Sequence, residues 1–228
     1  MSARVVILAP HPDDESLGAG GTLRRHVDEG DEVHVIIATG GSGQPHPLFT
    51  AEQISTVQHE ARGAVDVLGA TSVVFLELEP VLYAEQPRHL THALIHRALE
   101  ERRPDILYVP FPYDLHHDHR ALFHAASVAW RPTSDLGRSI RTVLAYEVVS
   151  ETHWQATAFE PAFSPTRWVT LSEAQLEAKL RALRCYESQM HSFPHARSAE
   201  AVQHLARWRG SLVGAPAAEA FVVVRDLR

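Results

Sequence analysis

Imidazole and carboxylate side chains gather at two places in this chain. The first is Pro10-His11-Pro12-Asp13-Asp14-Glu15; the second, far downstream, is Tyr113-Asp114-Leu115-His116-His117-Asp118-His119. Two imidazoles, a carboxylate and an open position make a catalytic site for a divalent cation, and His11, Asp14 and His119 can fill those three places. Asp13 is then left to act on a bound water, and His116 to meet the substrate. Asp118 reads in two ways, as a carboxylate holding an imidazole in orientation or as a helix cap. Glu15 reads as a structural first-turn acid and His117 as an exposed neighbour. With nitrogen and oxygen donors the simplest ion is zinc, one per chain, although another divalent metal, Fe(II) included, fits the same donor set.

Both clusters need strand ends to bring them together. Val5 to Ala9 is an apolar run too short for a helix, and Ile106 to Pro110 is another. In open α/β sheets ligands bind at the carboxyl ends of strands, so two such loops can share one crevice. Behind the first, Ser16-Leu17-Gly18-Ala19-Gly20-Gly21 supplies small residues that let a helix lie close to a sheet. Periodicity predicts strands over 4–9, 32–39, 72–78, 105–110 and 142–149, with helices over 15–29, 52–68 and 87–103 and from Ala121 to Trp130. This alternation predicts a Rossmann-like α/β fold, a mostly parallel doubly wound sheet with helices on both faces. The loop from Gly40 to Phe49 is long for a connection and is expected to form a wall of the pocket. No Lys-Ser or Lys-Thr pair follows its glycines, which argues against a phosphate cradle.

Beyond Ser150 the order changes. The segment 151–166 is irregular, 168–171 reads as a short strand, and helices are expected from Ser172 to Met190 and from Ala199 to Leu212, before a last strand over 221–225. The whole chain, 1–228, is expected to be one domain, with 1–150 as the core and 151–228 as a C-terminal helical extension forming a lid and contact surface. His195 and Arg197 are candidates to touch substrate, though pinning two C-terminal helices together is the favoured reading. Trp168 and Trp208 are expected in the core.

The two clusters resemble the signature motifs of the PIG-L (LmbE-like) family of zinc-dependent de-N-acetylases, an A-H-P-D-D-E-like motif and a later H-x-D-H motif. Pro10 stands in place of the alanine, and His117 occupies the variable position. The similarity extends to Tyr146-Glu147-Val148, Tyr186-Glu187-Ser188-Gln189, Phe193-Pro194-His195 and Arg209-Gly210-Ser211. The resemblance implies hydrolysis of an acetamide on an N-acetylglucosamine-type amino sugar, supports His116 at the catalytic position, and implies a homo-oligomer. Hydrolysis of another amide, or an Fe(II) oxygenase built on the same triad, is the alternative. A non-catalytic nucleotide-binding domain fits less well, because Leu23 stands where a third glycine belongs.

Composition narrows the partners. A formal charge of −7 argues against nucleic acid. No stretch approaches the ~20 apolar residues of a membrane span, and the short opening apolar run does not make a signal segment, so a cytoplasmic protein is expected. The single cysteine, Cys185, excludes an internal disulfide and is expected to be buried.

Overall fold

The computed structural model describes residues 2–155 and 158–227. Five parallel strands, β1 (Arg4–Ala9), β2 (Glu32–Thr39), β3 (Ser72–Leu78), β4 (Ile106–Pro110) and β5 (Thr142–Tyr146), are joined by helices. Two further strands, β6 (Arg167–Leu171) and β7 (Ala217–Asp226), run antiparallel and complete one seven-stranded sheet in the order β3-β2-β1-β4-β5-β7-β6. The helices are α1 (Asp14–Asp28), α2 (Ala51–Leu68), α3 (Arg88–Arg102), α4 (His117–Ala129), α5 (Asp135–Ser139), α6 (Glu173–Arg184) and α7 (Ala199–Ser211). The expected Rossmann-like, mostly parallel sheet is therefore present.

Both faces of the sheet are covered, which is why β1 reads as a continuous apolar run rather than an alternating one. Side chains still alternate by face. Val5, Ile7 and Ala9 join a core with Leu17, Leu183 and Tyr186 under α1, α2, α6 and α7. Val6 and Leu8 join the opposite core with Leu99 and Leu122 under α3 and α4. The small residues of α1 serve close approach: a Cβ on Gly18 would stand 2.3 Å from the Tyr146 ring. Gly30 and Gly69 take positive φ just beyond α1 and α2, where the chain must reverse.

The strand order fixes where a site can form. β2 and β4 flank β1 on opposite sides, so the chain leaves β1 and β4 in diverging directions. A crevice opens between their carboxyl ends. The two histidine-bearing loops follow these two neighbouring strands, paired through Val5 with Ile106 and Ile7 with Tyr108.

Several boundaries differ from the sequence reading. The α6 helix stops at Arg184, short of Met190, because the next residues are drawn into specific bonds. The Tyr186 hydroxyl donates to Glu15 at 2.6 Å, and the Ser188 backbone N–H donates to Glu60 at 2.9 Å. β5 ends at Tyr146 rather than Val149, since the Val148 N–H turns away to Thr152 Oγ1. β7 starts four residues early, at Ala217, where alanines and a buried Glu219 carry no β-branched signal. The short α5 was not expected. Trp208 is 53% exposed rather than in the core, with the Arg209 guanidinium lying over its ring. Trp168 and Cys185 are half-buried.

Candidate active site

The turn after β1 carries His11 to Glu15 directly into α1. Asp13 occupies the position before the helix with φ of 104°, an unusual conformation for a residue other than glycine. Its carboxylate makes no capping bond to the helix, so the first-turn acids are not explained as caps. Backbone strain of this kind collects at sites where a side chain must be aimed. Asp14 and Glu15 point elsewhere: Asp14 Oδ2 accepts from the His11 N–H, and Glu15 is fully buried against Ser16 and Tyr186.

The second loop delivers His116, Asp118 and His119 to the same crevice. His116 Nδ1 accepts from the Asp118 N–H at 3.1 Å and caps α4. The helix cap is thus His116, and Asp118 is released for other bonds. Asp118 Oδ2 lies 2.9 Å from His11 Nε2 and also accepts the Val81 N–H at 2.7 Å, while Oδ1 accepts that of Ala84 at 3.0 Å. Val81 has φ of 69°, rare for a β-branched residue, and this turn aims its N–H at the carboxylate.

The ligand atoms of His11, Asp14 and His119 lie within 4.8 Å of one another. Asp14 Oδ2 is 3.4 Å from His11 Nδ1 and 3.2 Å from His119 Nε2. Each ring is held from behind: His11 Nε2 by Asp118, and His119 Nδ1 by Asp114 Oδ2 at 2.8 Å. Asp114 is itself fixed by the Thr152 hydroxyl at 2.6 Å. A ring nitrogen donating to a carboxylate outside leaves the other with a lone pair facing inward, the arrangement of metal-binding histidines. The donor set therefore fits a divalent cation.

Burial and mutual charge shift these groups in opposite directions. Burial opposes the His11 imidazolium, but its bonds to Asp118 and Asp14 outweigh this and push it up to about 8. Burial likewise opposes charge on His119, and Asp14 and Asp114 together hold it well above the usual histidine value. Burial disfavours an ionised Asp14, yet His119 and His11 keep it well below the ordinary carboxylate range. Asp13 goes the other way: burial raises its carboxyl well above that range, opposed by the nearby Arg197. Burial and the neighbouring His11 push His116 down to about 4.

A cavity of about 470 Å³ opens at this cluster, with His11, Asp13 and His116 among its lining residues. Gly40 and Phe49, from the loop expected to form a wall, do line it. Arg197 also reaches it: its guanidinium lies 3.3 Å from Asp13 Oδ2 and 3.3 Å from Glu151, and Nε donates to Ser150 Oγ. His195 is not among the lining residues; its ring lies tilted against His191 with centroids 4.2 Å apart, and its Nδ1 accepts the Arg197 N–H. His117 is exposed. Sequence reasoning missed Asp114, Glu151 and the α2 face of the cavity. An aspartate within the second cluster was the available signal for Asp114; nothing local marked the others.

Residues 6–130 match the family described as PIG-L: GlcNAc-PI de-N-acetylase. The diacetylchitobiose deacetylase of Thermococcus kodakarensis is 28% identical over 198 residues, covering 82% of this chain and 70% of that protein. The crystal structure of the A40926 pseudoaglycone deacetylase superposes with a TM-score of 0.78 over 100% of both chains at 19% identity. The 4-carboxy-2-hydroxymuconate hydratase of Pseudomonas putida KT2440 gives 0.74 at 21% identity, covering 98% of this chain and 96% of that one. These last two likenesses concern the fold alone. One fold hosting a deacetylase and a hydratase means that the chemistry must be argued from the site.

Proposed function

The chain belongs to the PIG-L family, and from that premise we propose that it is a zinc-dependent hydrolase removing the N-acetyl group from an N-acetylated amino sugar. The observation that carries this reading is the convergence of two carboxylate-backed imidazoles on Asp14, beside an Asp13 that caps nothing. His11, Asp14 and His119 would hold one zinc ion per chain. When bound, the ion supplies Lewis acidity that polarises the acetamide carbonyl and lowers the pKa of water.

The remaining chemistry belongs to the chain's own groups. Asp13, raised by burial, takes the proton of the attacking water and holds it on a carboxylate oxygen. His116 has Nδ1 committed to the helix cap, so Nε2 carries the hydrogen and donates to the oxygen that gains charge. Burial and the neighbouring His11 lower its basicity, so it serves there as a hydrogen-bond donor. The proton held by Asp13 is then available to the departing amine. Asp118 and Asp114 keep the two rings in orientation, and Arg197 keeps Asp13 aimed into the cavity. His195 acts only by positioning Arg197.

Residues 1–228 work as one domain in this reading, the segment beyond Ser150 closing the site through Glu151 and Arg197. A homo-oligomer in the cytoplasm agrees with it, and among the described residues no helix is long and apolar enough to cross a membrane. The test is acetate release from glycosides of N-acetylglucosamine by zinc-loaded protein. Acetate formation that stops with a chelator and returns with zinc is expected. Turnover that instead requires Fe(II) and oxygen would assign the triad to an oxygenase.

A further inference from the structure

Besides the reacting groups, the cavity is lined by the first two turns of α2. Glu52, Gln53, Thr56 and Val57 line it there, with Phe49 from the preceding loop. This wall contains an unpaired acid. Glu52 is exposed and makes no ion pair among the described residues, while no lysine lines the cavity. Arg197 is the one lining arginine among the described residues, and its guanidinium is already shared between Asp13 and Glu151.

A helix start can attract an anion, but at that of α2 a capping box already takes two N–H groups. The Thr50 hydroxyl accepts the Gln53 N–H, Gln53 returns a bond to the Thr50 N–H, and Glu52 adds negative charge in the first turn. A bound phosphate or carboxylate at this wall would meet a carboxylate and no free cation. An uncharged group would meet amide and hydroxyl side chains beside Phe49 and Val57. Resting on the deacetylase reading, we infer that the group attached to the amino sugar is uncharged and partly apolar, and that Glu52 rejects anionic ones. The same wall disfavours dicarboxylate substrates such as a muconate.

The test uses two nearly isosteric probes, the 4-carbamoylphenyl and 4-carboxyphenyl glycosides of N-acetylglucosamine, each as both anomers. At low ionic strength kcat/KM is expected to favour the carbamoyl probe by about tenfold or more, and added salt should shrink the ratio. Glu52→Lys should bring the ratio close to one or invert it. Equal or faster cleavage of the carboxylate by the unaltered protein overturns the inference, as does a ratio that Glu52→Lys leaves unchanged. Calorimetric binding of the matching free-amine glycosides separates this from the reaction itself. If no probe releases acetate, the deacetylase reading fails; a carbamoyl preference in binding still supports the rejection of anions, and equal binding refutes it.

Discussion

Two buried clusters of charge touch α1, one at its start and one at its middle, and they are built on opposite plans. The middle cluster is closed. Lys179 Nζ donates to the Leu17 carbonyl and to Glu219, and Glu219 accepts the N–H groups of Gly21 and Thr22 at 3.0 and 2.7 Å. Both side chains are 4% exposed. Every charge there has an internal partner, so the cluster ties α6 and β7 to α1 and has nothing left to offer a ligand.

The cluster at the start is open. Asp14 and the two imidazoles bring their donor atoms within 4.8 Å of one another, Asp13 is held at 3.3 Å by a single guanidinium nitrogen, and a cavity opens beside them. A closed pair is costly to break from one side, because removing one partner strands the other. An open set contributes chemistry, because its groups are completed only by what binds. The contrast predicts that mutations in the two clusters separate metal binding from stability.

The largest effect belongs to the open cluster. His119→Ala is expected to remove nearly all bound zinc and all measurable acetate release while the circular dichroism spectrum stays native; elemental analysis with unchanged zinc would break the contrast. Next comes the closed cluster. Lys179→Met should lose about 3–5 kcal/mol of unfolding free energy, the cost of leaving Glu219 buried without its cation. Urea titration measures that loss, and zinc per folded chain should be unaltered. A smaller effect is expected behind the site. Asp114→Asn keeps the shape but weakens the hold on His119 Nδ1, lowering zinc affinity by about 10–100-fold; competition with a chromogenic chelator reads it directly.

These expectations differ in how far the sequence foretold them. His11, Asp14 and His119 were legible because each sits where an apolar run stops, and neighbouring strand ends share a crevice. Asp13 was legible as the acid left over, but its φ of 104° was not, since nothing local specifies that conformation. Asp118 was ambiguous between orienting a ring and capping a helix, and the ambiguity ended because His116 took the cap. Arg197 was named without its partners, since Asp13 lies far off in sequence. The Lys179–Glu219 pair gave no signal: one lysine on an amphipathic helix and one glutamate among alanines look solvated until the sheet is assembled. Helix α6 was read too long for the same reason, as the bonds that end it come from Glu15 and Glu60.

The central claim is that adjacent carboxylates divide the labour, Asp14 holding the metal and Asp13 moving the proton. Zinc per chain and kcat for acetate release, measured together on Asp13→Asn and Asp14→Asn, test it most directly. Asp13→Asn should keep its zinc and lose about 10²–10⁴ in kcat, while Asp14→Asn should lose zinc and regain part of its activity in excess metal. Loss of zinc from Asp13→Asn with retention by Asp14→Asn would contradict the account.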